Sequence, residues 1–186
     1  MKVSSLCIVG VFLFALHAPA QQAVGPGAIK LGKVLPAIVK TPEFQVTGGT
    51  PKRSKQQDWL EVEVEFESKA EEIPELTFKY TIMVEKRLLD GEVTHVSIPK
   101  GRDHYSVMYV APRSLQKLTG GKPLTGASIE NVWVVASYQG QVLDQQAFRP
   151  GPIPNLQHIS GMVLNKMETP FAPLYFDRYE AVKVTK

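Results

Sequence analysis

The chain has 186 residues, of which 44% are apolar and 21% charged, with one cysteine and a formal net charge of +3. That apolar content excludes a disordered chain, and a charge so near neutral excludes the concentrated basic face that nucleic-acid binding requires. The length suits one domain with a tail.

Residues 1–20 have the three parts of a secretory signal: Lys2 as a charged start, an apolar run from Leu6 to Leu16, and Ala18-Pro19-Ala20 before the cut. Eleven residues rise only about 16 Å as a helix, well short of a bilayer core, so the segment reads as cleaved rather than anchored. Cleavage after Ala20 leaves Gln21 first, and Cys7 lies too deep in the apolar run to become the lipidated first residue of a lipoprotein. The remaining 166 residues carry 20 basic against 18 acidic side chains, a net charge of +2, and no cysteine. Stability must then come from an ordinary core rather than disulfides, and no transmembrane segment is predicted after cleavage. A short signal, a cysteine-free product and the lack of any Asn-x-Ser/Thr sequon point to export by a bacterium, to the periplasm or the outer-envelope surface.

Residues 21–41 read as an N-terminal extension, and a first strand is predicted at Glu43 to Val46. A loop follows with Gly48-Gly49, Pro51 and three positive charges, Lys52, Arg53 and Lys55. From Trp59 to Glu67, Leu60, Val62, Val64 and Phe66 alternate with Glu61, Glu63, Glu65 and Glu67, the period-two pattern of a strand with one wet face. This register sends the glutamates to solvent, so Glu63→Lys is predicted to be nearly silent and Val64→Asp to unfold the domain.

A second alternation, Leu76, Phe78, Tyr80, Ile82 and Val84, runs to Leu88-Leu89, where Asp90-Gly91 supplies hairpin-turn chemistry before a return strand from Glu92 to Ile98. Pro99-Lys100-Gly101 is read as a break ahead of a strand from His104 to Val110. Pro112 to Leu118 has proline at a helix start and stops at Gly120-Gly121, a single short crossover helix. Ile129 to Tyr138 and Val142 to Arg149 form a hairpin through Gln139-Gly140-Gln141.

These seven strands predict an all-β, antiparallel two-sheet sandwich of Ig-like or fibronectin-like architecture over residues 42–149, with a partly open barrel as the competitor. Val132-Trp133-Val134-Val135-Ala136 is apolar throughout, so something must cover its second face. Residues 150–186, a proline-rich linker and an apolar tail, are the natural cover.

Chemistry-bearing patterns are sparse. Same-face glutamates of the ladder stand about 6.8 Å apart, too far for a compact calcium shell. His95, His104 and His158 lack zinc-type spacing, and no nucleophile elbow or phosphate loop is present, so neither an enzyme nor a cofactor is expected. Trp59, Tyr105 and Tyr109 fall where exposed rings could stack against sugars, which makes a glycan-binding adhesion domain the alternative reading. Phe171, Leu174, Tyr175, Phe176 and Tyr179 crowd a short tail segment and are the candidate interaction residues. So much apolar surface predicts docking, either on the same chain or on a partner.

The exported, cysteine-free sandwich and the tail Thr-Pro-Phe-Ala-Pro-Leu-Tyr-Phe-Asp-Arg-Tyr-Glu, Thr169 to Glu180, resemble small exported Ig-like envelope proteins of Verrucomicrobia, some encoded beside type IV pilus genes. The resemblance implies an Ig-like fold, self-association and a part in pilus or envelope assembly. It carries no site residues.

Overall fold

The computed structural model describes residues 24–44, 48 and 55–184. The signal segment, the Gln21 cleavage point, most of the predicted Glu43–Val46 strand, and Lys52 and Arg53 lie outside the described residues. Glu43 and Phe44 are described and are not strand.

Among the described residues, seven strands make up one hydrogen-bonded sheet. They are β1 (Ile29–Lys40), β2 (Asp58–Val84), β3 (Arg87–Val110), β4 (Ile129–Tyr138), β5 (Gln141–Ala147), β6 (His158–Ser160) and β7 (Val163–Asn165). Every pairing is antiparallel except β6 on β3. The all-β, antiparallel class is as predicted, but the ladder is continuous where two separate sheets were expected. The reason is the β2–β3 hairpin. What the sequence divides into four strands is one pair of 27 and 24 residues, interrupted by register shifts between Phe66 and Glu72 rather than by loops. Ser97 and Asp103, at φ of 54° and 61°, mark where β3 bends, so Pro99-Lys100-Gly101 lies within a kinked strand.

The hairpin turn falls at Glu85-Lys86, both at positive φ, and not at Asp90-Gly91. Leu88 and Leu89 therefore belong to the return strand. Gly91 serves another purpose. A Cβ there would lie 2.5 Å from the Val163 side chain and 3.0 Å from Met108 Cε, so only glycine lets the two ends of the bent β3 come together around β7.

β1 occupies the stretch read as an extension. A register shift between Leu31 and Val34 breaks its alternation, and Pro36, without an N–H, is tolerable because among the described residues β1 pairs as a strand with β2 alone. At the opposite end of the sheet path, the Asp144 carboxylate accepts from Leu31 N at 2.7 Å and from Gln145 N at 2.9 Å, tying the edge of β5 to β1.

The core follows the predicted register. Leu60, Val62, Val64, Phe66, Leu76, Phe78, Tyr80, Ile82 and Val84 are all at most 1% exposed. Helix α1 (Pro112–Thr119) buries Leu115 and Leu118, starts at Pro112 and closes at Gly120 in the left-handed region. Trp133 and Val135 stay half-buried. The Trp133 Nε1 donates to Gly151 O at 2.8 Å, but the rest of the tail goes elsewhere.

It goes to the free edge of β3. β6 pairs with Leu88–Asp90, β7 with Met108–Val110, and residues 181–183 with Thr94–Val96 through Val96 N to Ala181 O and Lys183 N to Thr94 O. An exposed strand edge is a template for unwanted pairing, and the chain's own C-terminal segment fills this one in three short lengths. No helix among the described residues is long and apolar enough to cross a membrane.

Candidate interaction site

The outer face of β2 and β3 carries Trp59, Glu61, Glu63, Tyr105, Val107 and Tyr109. Wet on both sides, such a face would leave three aromatic rings in water. Instead the tail lies over it. Phe171 stacks on Tyr109, centroids 4.6 Å apart and nearly parallel, and meets Trp59 edge-on at 5.5 Å. Val39, Leu164, Leu174 and Tyr179 pack around this second, smaller apolar cluster. A 3-10 turn over Lys166–Glu168, capped by the Asn165 side chain, aims the chain onto the sheet.

Charge fixes the docking. Arg178 donates to both oxygens of Glu63 at 2.6 and 3.0 Å, and the Tyr179 hydroxyl donates to the same carboxylate at 2.8 Å. The Arg178 guanidinium also lies 3.8 Å from the centre of the Tyr105 ring. Burial by itself pushes the Glu63 carboxyl up, but the bonds from Arg178 and Tyr179 outweigh it and hold the group below its ordinary value. Glu63 is thus a buried anchor for the tail, and the expectation that all four glutamates face solvent fails at this position.

A second lock lies deeper. Tyr80 donates to Ser106 Oγ at 2.7 Å, and Ser106 Oγ lies 2.7 Å from His95 Nε2. On the other side, His95 Nδ1 lies 3.2 Å from the Glu180 carbonyl, which can only accept. The bonds are mutually consistent with the proton on Nδ1 and the lone pair of Nε2 facing the serine. Burial lowers the His95 pKa to about 4, against the raising effect of the Glu180 and Ala181 backbone. The Ser106–His95 contact has the spacing of a nucleophile and base, yet both side chains are at most 1% exposed and the histidine's other nitrogen is spent on the tail. It is a structural network. His104 adds a 2.7 Å contact to the Glu180 carboxylate, and at the far end of β3 His158 contacts Asp90 at 2.7 Å, securing β6.

The predicted interaction residues divide. Phe171 is buried, Leu174 and Tyr179 are half-buried against the cluster, but Tyr175 and Phe176 are 61% and 83% exposed. They form an exposed knuckle, in which the Tyr175 ring meets Tyr179 edge-on at 6.2 Å. Tyr175 sits at φ of 52°, unusual for an aromatic residue, and its carbonyl accepts from Arg178 N at 3.1 Å. The docked residues on either side therefore hold the two rings outward. The glycan platform is not assembled: Trp59 and Tyr109 lie under Phe171, and the Tyr105 face is taken by Arg178. Glu63, His95 and Arg178 escaped the sequence reading. Their signal was the aromatic outer face of β2 and β3, which demanded a cover.

A family model matches residues 20–186. The chain belongs to that family, one represented by a bacterial protein of unclear function. A crystal structure from Akkermansia muciniphila, a Verrucomicrobium, is similar at a TM-score of 0.74 and 24% identity, over 85% of this chain and 94% of that one. At that identity the likeness establishes the fold. No curated protein matches the sequence. Neither the family nor the fold is that of a known enzyme class.

Proposed function

We propose that the protein is a non-enzymatic interaction module of the bacterial cell envelope, exported by its N-terminal signal and joined to a protein partner or a second copy through the Tyr175–Phe176 knuckle. The observation that carries this reading is the contrast within one tail. Phe171 and Arg178 are held against the sheet, while the adjacent Phe176 is 83% exposed. A tail needed only as a cover would have no use for two large rings in water. Export draws support from the Lys2, Leu6–Leu16 and Ala18-Pro19-Ala20 pattern, and an envelope or pilus role from the sequence resemblance and the likeness to a Verrucomicrobial fold.

The test is site-specific photocrosslinking in the producing cell, with a benzophenone amino acid at position 176 and, as a control, at exposed Val142. A discrete adduct from 176 that is lost with Tyr175→Ser is the expected result. No adduct, or the same adducts from both positions, would overturn the reading.

A further inference from the structure

Beside the docked tail a groove of about 540 Å³ opens between the end of β1 and the outer face of β2. Val39, Pro42, Phe171 and Leu174 give it an apolar lining, joined by Tyr179 and Glu61. Four charged side chains face the space, and three are already matched. Glu63 holds Arg178 at 2.6 Å, and Lys40 pairs with Asp58 at 2.6 Å. Glu61 has no ion pair among the described residues, although it is half-buried; burial, with the Glu63 charge, raises its pKa against the lowering effect of the Tyr109 hydroxyl and the more distant Arg178 charge. A half-buried carboxylate without a direct ion pair is relieved either by a proton or by a cation that joins it.

Tyr109 supplies an independent sign. It is the cross-strand neighbour of Glu61 and is fully buried. Its hydroxyl lies beside the Glu61 carboxylate but makes no hydrogen bond of normal geometry among the described residues. Buried hydroxyls without a well-formed bond are rare, and the Glu61 carboxylate is the acceptor placed to take this proton.

We propose that the groove binds an alkylammonium group, its apolar stem along Val39, Phe171 and Leu174 and its charged head on the Glu61 carboxylate. The apolar wall suits the stem, and the Glu61 carboxylate suits the charged head. Once the cation holds Glu61 ionised, Tyr109 donates to the second carboxylate oxygen and completes its hydrogen bonding. Tyr109 is thus a positioning residue. Lysyl side chains of a polypeptide and free alkyl amines share this chemistry. Tyr175 of the knuckle also lines the groove, but the inference uses Glu61 and Tyr109 and does not involve Phe176, so the two readings fail separately.

The experiment is an NMR titration of residues 21–186 with n-pentylammonium, with N-acetyl-lysine methylamide, and with n-pentanol as the uncharged stem. Both amines should shift the amides of Val39, Phe171 and Leu174, with tighter binding by the lysine derivative assigning the site to polypeptides and tighter binding by n-pentylammonium to free amines. Glu61→Gln should weaken the amines about tenfold, as expected for one charge-assisted contact. Tyr109→Phe should weaken them less and reduce the drop in the Glu61 pKa on binding, while Phe176→Ala should leave binding unchanged. Equal affinity for n-pentanol and n-pentylammonium in the unaltered chain would refute the proposal even if Glu61→Gln failed to fold, as would the absence of any shift in the groove.

Discussion

At the scale of single residues, Glu63 and Gly91 show how far context overrides local pattern. Short-range rules place Glu63 on a wet strand face and Gly91 in a turn dipeptide, yet both serve contacts more than 70 residues away in sequence. Glu63→Lys should therefore not be silent. It sets a cation against Arg178 and leaves the Tyr179 hydroxyl without its acceptor, and thermal melting should show a loss of about 2–4 kcal/mol, against under about 1 kcal/mol for Glu65→Lys. Equal effects would remove Glu63 from its anchoring part. Gly91→Ala should cost about 1–3 kcal/mol by forcing Val163 and β7 off the sheet. Val64→Asp, pointing into the core, should abolish cooperative folding.

At the scale of elements, the C-terminal segment is bonded to β3 along much of its length and to β2 through its side chains. Phe171→Ala should cost about 3–5 kcal/mol, whereas Phe176→Ala, on a ring in water, should change stability by less than about 0.5 kcal/mol. The segment should also respond to acid. His95 titrates near 4 in the folded chain and near 6.5 when released, so the unfolded chain binds the extra proton as pH falls. Stability from this group is complete above about pH 6.5 and is lost as the pH drops toward 4. Glu63, depressed when docked, adds a second loss at lower pH as it protonates. A melting temperature that is flat above neutrality and falls through this window is expected, with a shallower fall in His95→Gln. A profile indifferent to that substitution would point away from His95.

At the scale of the whole molecule, what was legible in the sequence was whatever depends on near neighbours. Alternation gave the inward face of Leu60 to Phe66 and of Leu76 to Val84, and proline and glycine gave the ends of α1. What was not legible depends on the bend of β2 and β3. A register shift leaves no signature in composition, so sequence pattern divides one long pair into four strands and shows no strand in the bulged, proline-bearing β1. The tail was recognisable as a docking segment from its rings, but which of them docked depended on Glu63 and the aromatic face beneath. The central claim is that the C-terminal segment is part of the folded domain and holds its knuckle rigidly outward. Hydrogen exchange on residues 21–186 tests this most directly. The amides of Val96, Glu180 and Lys183, bonded to Ala181, Tyr105 and Thr94, should exchange as slowly as those of the β2–β3 ladder. Exchange of Glu180 and Lys183 at unfolded-chain rates while the ladder stays protected would contradict it.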